Sequence, residues 1–452
     1  MGNVVVYTGQ AGTGKTYSLM QLLTQLLPQR EWVKHEAVLA LTFMHGSRKR
    51  LESNLKFVKN DFKVKCECST IDSFALSILN RFRSYLNLCK PISVSLNGSD
   101  SEGQFEIQFT LDTIHINTIN LLNYESVKAF ISNSYPYIII DEFQDCNGAL
   151  LEIVKLLTNS TNVLIAADPF QQLSDTEECE GMNWILENEF EIFDLNAGGV
   201  KRTKNNKILN TASCLRKGEN IDGEKIYITA SVSKYLTAAI LKPNIHYNIG
   251  KGNIAIISPT TKSNFVKDAI ASLSTTYTFK NGPNKDKTIG PYNNLLGSDG
   301  YANVDELLID IPKRPLNKLD LKKLKEKNNF ILNRCCEKSL KKMTLRNLEE
   351  VSYDELIYTL NQCIHTHDNF YRKERISKLI LTTIHAAKNR EFDTVIILWP
   401  YEVSGNTLYK RKLLYNAITR AKTNAIIIVQ NKNMDLQTLA EDDLFGLIID
   451  TE

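Results

Sequence analysis

Four short runs of β-branched and aliphatic residues, each followed by sequence of helical character, restrict the fold of this chain more than any other feature. Val4-Val5-Val6-Tyr7, Val38-Leu39-Ala40-Leu41, Tyr137-Ile138-Ile139-Ile140 and Val163-Leu164-Ile165-Ala166 lack the polar alternation of a strand with one wet face. They predict strands buried on both faces, as in a parallel sheet covered by helices. Ile254-Ala255-Ile256-Ile257, Val395-Ile396-Ile397-Leu398 and Ala425-Ile426-Ile427-Ile428-Val429 repeat the pattern, so a second sheet is expected in an α/β protein. Two regions break the rhythm, residues 80–135 and residues 276–375, and both read as mainly helical insertions. The expected layout is a first sheet domain of residues 1–79 and 136–200, and a second of residues 201–275 and 376–452. A chain of 452 residues is long enough for this, since one core serves roughly 150 residues.

Gly9-Gln10-Ala11-Gly12-Thr13-Gly14-Lys15-Thr16 lies directly after the first strand and before a helical run. In that context the spacing is that of a phosphate-binding loop. Glycines let backbone N–H groups wrap a phosphate, and the helix N-terminus adds positive potential. Lys15 is expected to reach the β- and γ-phosphates of a nucleoside triphosphate, and Thr16 to hold Mg²⁺. A second metal-side acid is expected at the carboxyl end of a neighbouring strand, where open α/β sheets bind ligands. Asp141, after Tyr137–Ile140, fits, and Glu142 beside it is placed to take a proton from an attacking water.

Composition narrows the class. With 18 Phe, 18 Tyr and 3 Trp the chain has ample surface to bury, which excludes disorder as the main state. No stretch approaches the ~18 unbroken apolar residues of a membrane span. No export signal is recognisable at the start, so a cytoplasmic protein without membrane partners is expected. The nine cysteines show no zinc or disulfide spacing and read as reduced thiols, and His365 and His367 lack a third ligand. The net charge of +3 is unevenly spread: residues 313–342 hold eleven Lys/Arg against three acids, +8 in one segment. Such a stripe suits a polyphosphate partner, and reads equally as a solvated Lys-rich helix.

Asp141-Glu142-Phe143-Gln144-Asp145 resembles motif II of the UvrD/Rep/PcrA group of superfamily 1 DNA helicases. Other motifs of that family follow in order. Thr42-Phe43-Met44-His45 resembles motif Ia, and Ser69-Thr70 with Phe74 the next DNA-side motif. Ala167-Asp168-Pro169-Phe170-Gln171-Gln172 resembles motif III, and Leu195 to Arg202-Thr203 a diverged motif IV. Thr383-Ile384-His385 through Lys388 to Glu391-Phe392 resembles motif V, and Leu414-Tyr415 through Thr419-Arg420 to Lys422 motif VI.

The resemblance implies two RecA-like domains forming an ATP cleft, with ATP and Mg²⁺ as cofactors. It implies Gln171 as a γ-phosphate sensor, Arg202 and Arg420 as arginine fingers from the second domain, and Glu391 on the nucleotide side near the sugar. It implies Thr42, Phe43, Thr70 and His385 along a single-strand channel, with Phe43 stacking on a base. From the residues alone, Phe43 also reads as a core side chain, Arg202 as a surface arginine and Arg420 as half of a structural ion pair.

Three departures matter. No adenine-reading Gln motif stands in the eight residues before Gly9, which leaves base preference open. Gln172 is followed by Leu173-Ser174-Asp175-Thr176 where the family carries DNA-stacking rings, leaving Phe170 or Trp184 as substitutes. Both insertions are short. The expected function is an ATP-driven 3′–5′ translocase and helicase on single-stranded DNA and its junctions with duplex. The alternative is a DNA-sensing ATPase that regulates a partner such as a nuclease in antiphage defence; RNA unwinding is a third, weaker reading.

Overall fold

The computed structural model describes residues 2–43, 45–95, 98–104, 106–173, 179–293, 311–312, 314–325, 330–346, 348–366, 378–401, 403–431 and 442–449. Residues 174–176, His367, Lys313 and Lys327, on which some expectations above fall, lie outside them.

The first sheet is built from β1 (Val4–Thr8), β2 (Ala37–Thr42), β3 (Lys65–Thr70), β4 (Tyr137–Asp141), β5 (Asn162–Ala167) and β6 (Glu191–Asp194). The order is β3-β2-β4-β5-β1-β6, and every pair is parallel. The apolar runs are central because both faces are covered: Val38, Ala40, Leu41, Ile138, Ile139, Ile140, Val163 and Ile165 are fully buried. Each of these Val, Leu and Ile side chains contributes about 1.5–3 kcal/mol of transfer free energy, more than any local propensity. On one face Leu19, Met20 and Leu23 of the helix Lys15–Leu26 meet Leu51, Leu55 and Val58. On the other, Ile71, Phe74 and Ile78 pack with Ile114, Leu121, Ile153 and Leu157.

The second sheet comprises β7 (Tyr227–Ser231), β8 (Ile254–Ser258), β9 (Leu379–Thr383), β10 (Phe392–Trp399) and β11 (Ala421–Gln430), ordered β7-β11-β10-β8-β9. The pairs β7–β11, β11–β10 and β10–β8 are parallel. The two sheets, each with its covering helices, are the two lobes of one compact unit, residues 1–291 and 381–452.

The insertions differ from one another. Residues 80–135 do not form a separate body: Ile92, Ile107, Ile114 and Leu121 belong to the same buried cluster as Val6, Leu39 and Ile138 of the sheet. They include short strands (Ile92–Val94, Ser101–Glu102, Ile107–Phe109) as well as the helices Leu111–Leu122 and Glu125–Ser134. The second compact unit is residues 292–380, with its own core of Leu321, Leu332, Cys335, Leu356 and Leu360. The hairpin Tyr277–Thr278/Thr288–Ile289, inside the expected second insertion, belongs to the first unit. Among the described residues no helix is long and apolar enough to cross a membrane, and all nine cysteines are free thiols.

Candidate active site

The carboxyl ends of β1, β4 and β5 deliver three loops to one place. The loop after β1 needs its glycines for steric reasons. Gly14 has φ +95° and caps the helix Lys15–Leu26; Gly12 has φ +82°, and a Cβ there would lie 2.8 Å from the Cβ of Arg202. Lys15 Nζ donates to the carbonyls of Gly9 (2.8 Å) and Gln10 (3.0 Å) and lies 3.9 Å from Asp168. Burial lowers its pKa, against the pull of Asp168, Glu142 and Asp141. The hydroxyl of Thr13 donates to the Gln10 carbonyl, and Gln10 N–H donates to Asn196. These bonds hold the loop in shape.

After β4, Asp141 accepts a hydrogen bond from Thr16 Oγ1 at 3.2 Å. Burial and then neighbouring Glu142 push its carboxyl up to about 6, opposed by Arg50 and Lys15. A hydroxyl beside a carboxylate is an all-oxygen donor set, which fits Mg²⁺ completed by phosphate oxygens and water. Glu142 sits at φ +62°, a left-handed backbone that costs an L residue roughly 1–2 kcal/mol. That cost is typical of functional turns. Its carboxylate accepts from Gln144 Nε2, and Gln144 Oε1 accepts from Asp168 N–H (2.9 Å), which ties the loops after β4 and β5 together.

The second lobe supplies Arg420 from the amino end of β11 and Arg202 from the segment before the helix Asn206–Lys217. Arg420, immediately before β11, is 2% exposed; its Nη2 donates to Gln171 Oε1 at 3.2 Å and its Nε to Asn416 O at 3.0 Å. Burial, then the nearby Arg202, pushes its guanidinium down to about 9. Arg202 donates to Glu391 (2.9 Å) and to the Thr419 carbonyl (2.9 Å). Burial would raise the Glu391 carboxyl, but Arg202 and Arg50 hold it below its ordinary value. A cavity of about 560 Å³ is lined by Lys15, Thr16, Asp141, Glu142, Gln171, Arg202, Glu391 and Arg420 together. The chain thus gathers cations and acids, drawn from segments hundreds of residues apart, around one polar hollow.

The residues expected on the nucleic-acid side sit differently. Thr70, Thr42 and Asp141 are level across β3, β2 and β4, so Thr42 shares a register position with the metal-side acid. Thr42 and Thr70 are buried, and the Thr70 hydroxyl caps the helix Ile71–Phe82 by accepting from Ser73 N–H at 3.1 Å. Phe43 is half-buried against the first core, and His385 is exposed on the short helix Ile384–Ala387 after β9. Both substitute rings are half-buried and already touch other aromatic rings. Trp184 packs on Phe143 and Phe190, and Phe170 lies edge-on to Tyr415, with Arg216 and Arg411 beside it.

Sequence reasoning missed several contributors. Arg50 lines the cavity from the helix His45–Asn54, and Tyr415 OH accepts from the phosphate-loop N–H of Ala11 at 2.9 Å. Lys388 donates to both oxygens of Asp145 across the lobes, with 4% and 21% side-chain exposure. Arg216 donates to Asp168 at 2.7 Å. Tyr415, Lys388 and Asp145 stood within quoted motifs, but nothing local marks their partners.

A family model described as UvrD/REP helicase N-terminal domain matches residues 1–110 and 102–173, and one described as UvrD-like helicase C-terminal domain matches residues 378–428. No curated protein matches the chain. A solved structure, Arterivirus nonstructural protein 10 (helicase), is similar at 10% identity with a TM-score of 0.35; the alignment covers 98% of this chain and 62% of that one. The two family matches contain every residue lining the cavity that is named above except Arg202. With two parallel-sheet lobes and this ordered set of motifs, the chain belongs to the UvrD/Rep-like superfamily 1 helicases.

Proposed function

We propose that this chain is an ATP-hydrolysing translocase and helicase acting on single-stranded DNA, in the 3′–5′ direction common to the family it belongs to. The observation that carries the reading is the cross-lobe cavity, in which Arg420 and Arg202 of one lobe share a hollow with Lys15, Thr16, Asp141, Glu142 and Gln171 of the other. Cations placed on the second lobe complete the charge stabilisation of a transferring phosphoryl only while the lobes are together, so the chemistry and the lobe movement are coupled.

In this reading Lys15 and the loop N–H groups hold the β- and γ-phosphates. Thr16 and Asp141 hold Mg²⁺, which neutralises charge on the phosphate oxygens when bound. Glu142 orients the attacking water and takes its proton. Gln171 contacts the γ-phosphate, and Arg202 and Arg420 meet the charge that develops on it. Glu391 serves the nucleotide side by holding Arg202. Thr42, Phe43, Thr70 and His385 are assigned to the strand path; the shared register of Thr42 with Asp141 supports a direct link between that path and the metal site. The same account assigns a protein in the cytoplasm with two RecA-like domains, an insertion at residues 80–135, and a basic accessory unit that contacts duplex at junctions.

A second reading, a DNA-sensing ATPase that controls a partner nuclease, is favoured by one observation: Phe170 and Trp184 both pack against other rings, which makes them poorer substitutes for the missing stacking rings. The test uses duplexes with a 3′ or a 5′ single-stranded tail, in DNA and in RNA. Strand separation of the 3′-tailed DNA alone supports the first reading. ATP turnover stimulated by DNA without separation supports the second, and preference for RNA overturns both.

A further inference from the structure

Asp168 is a carboxylate with no exposed surface, at the carboxyl end of β5. Its Oδ1 accepts from Arg216 Nη1 at 2.7 Å and from Phe170 N–H at 3.2 Å, and its Oδ2 accepts from Gln171 Nε2 at 2.8 Å. Lys15 Nζ stands 3.9 Å away. A carboxylate so deeply buried needs a full cation, because an unpaired buried charge is strongly destabilising. Two cations are near enough, and the phosphate reading assigns Lys15 to the nucleotide. The partner that remains through the cycle is Arg216.

Arg216 comes from the other lobe, on the helix Asn206–Lys217. Its guanidinium carbon lies 5.5 Å from the Phe170 ring and 5.8 Å from the Tyr415 ring, and Nη1 is 3.4 Å from the Tyr415 hydroxyl. The group is therefore held by two rings, a hydroxyl and a carboxylate. That fixed, planar arrangement favours arginine over lysine.

The consequence runs through Gln171. A side-chain amide has a donor end and an acceptor end, so fixing one fixes the other. Asp168 takes the donor end, which turns Oε1 toward Arg420 Nη2 at 3.2 Å. Arg216, Asp168, Gln171 and Arg420 form one chain of contacts that leaves the second lobe and returns to it. Arg216 lies outside both segments matched by the family models.

We infer that Arg216 is a positioning residue for hydrolysis: by neutralising Asp168 across the seam it sets the orientation of Gln171 and leaves Lys15 to the phosphates. Without Arg216 the Asp168 carboxylate draws in Lys15, and Gln171 loses its fixed amide. The inference rests on the ATPase reading above and deepens it.

The test compares the wild-type chain with Arg216→Gln, Arg216→Lys, Gln171→Ala and the double variant Arg216→Gln/Gln171→Ala. Affinities for Mg-ADP and Mg-ATPγS are measured alongside DNA-stimulated turnover. The expected result for Arg216→Gln is a loss of about 10-fold or more in both turnover and the preference for ATPγS over ADP, with ADP affinity within about 2-fold. In the Gln171→Ala background the same change should cost less than about 2-fold, since both residues act on one element. Arg216→Lys keeps the charge and should recover part of the loss; it carries the comparison if Arg216→Gln does not fold. Losses that multiply in the double variant, or equal weakening of ADP and ATPγS, overturn the inference, as does an Arg216→Lys protein identical to wild type in all three measurements. Wild-type protein that hydrolyses nothing defeats the ATPase reading separately, and the ATPγS/ADP ratios still decide the role of Arg216.

Discussion

Arg420 and Lys322 carry the same formal charge in opposite surroundings. Arg420 is 2% exposed and bonded to Gln171, Asn416 and Thr419. Lys322 is exposed on the helix Lys318–Lys325, next to exposed Lys323. The contrast extends to their neighbourhoods. At the seam some charges have a defined partner in the other lobe, as in Lys388 with Asp145 and Arg216 with Asp168, and others, such as Arg202 with Glu391, are held within their own lobe. Among the described residues of the 292–380 unit, some cations are paired within the unit, while Lys318, Lys322, Lys323 and Lys341 are exposed. Arg314 binds Asp320, whose carboxyl that hydrogen bond and the Asn317 N–H hold down at about 2, and Lys325 pairs with Glu337. Buried cations act singly and by geometry, and their loss leaves a partner unpaired in a poorly solvated site. Exposed lysines act collectively through a salt-screened field. One basic residue at the seam should therefore outweigh several on the basic unit.

The first way to break this comparison is at the phosphate loop. Lys15→Ala or Glu142→Gln should each reduce ATP turnover by about 10³-fold or more, measured by phosphate release, with little change in thermal denaturation. Retained turnover in Glu142→Gln would remove the proposed proton acceptor. Next comes Arg420→Lys, which keeps the charge and loses the planar donor fork. A loss of about 10²- to 10³-fold in kcat is expected, because the site is built around guanidinium geometry rather than charge alone. Near-normal kcat would place Arg420 with the collective lysines.

The third change concerns stability. Lys388→Met leaves the half-buried Asp145 carboxylate without its cation. Burial already raises that carboxyl, and Lys388 opposes the rise. A destabilisation of about 3 kcal/mol is expected in denaturant titration, largely recovered by adding Asp145→Asn. Equal instability in the single and double variants would mean that the pair itself matters little. The smallest effect is expected from Lys318→Glu, Lys322→Glu, Lys323→Glu and Lys341→Glu combined. Turnover without DNA should stay unchanged, while the slope of log affinity for duplex DNA against log salt becomes shallower by about one to three. An unaltered slope would mark these lysines as ordinary solvated side chains.

The same contrast explains how far the sequence could be read. The phosphate loop and Asp141-Glu142 are legible because their chemistry asks for given residue types within a few positions of a strand end, and Gln171 through the motif it resembles. Strands buried on both faces were recognisable for the same local reason. Arg216 was not, because a basic residue in the last turn of a helix is also what the helix dipole favours, and Asp168 is 48 positions away. The partnership of Tyr415 with Ala11 spans 404 positions. Phe170 and Trp184 read as rings that could stack on DNA, and nothing local in the sequence marks their contacts with Tyr415 and Phe143. Residues 80–135 looked like an insertion because their rhythm differs from the sheet's. Their isolated apolar residues Ile92, Ile107 and Ile114 nevertheless fill the first lobe's core. Local chemistry is written locally, whereas the cross-lobe wiring exists only once the chain has folded.

The most direct test of the central claim is steady-state ATP turnover with Mg²⁺, with and without a single-stranded DNA oligonucleotide, in the wild-type chain and in Arg420→Ala. A triphosphate hydrolysed between two lobes that also grip a strand predicts strong stimulation by DNA in the wild type and its loss, together with most turnover, in the variant. Turnover that ignores DNA, or that survives without the Arg420 guanidinium, would contradict it.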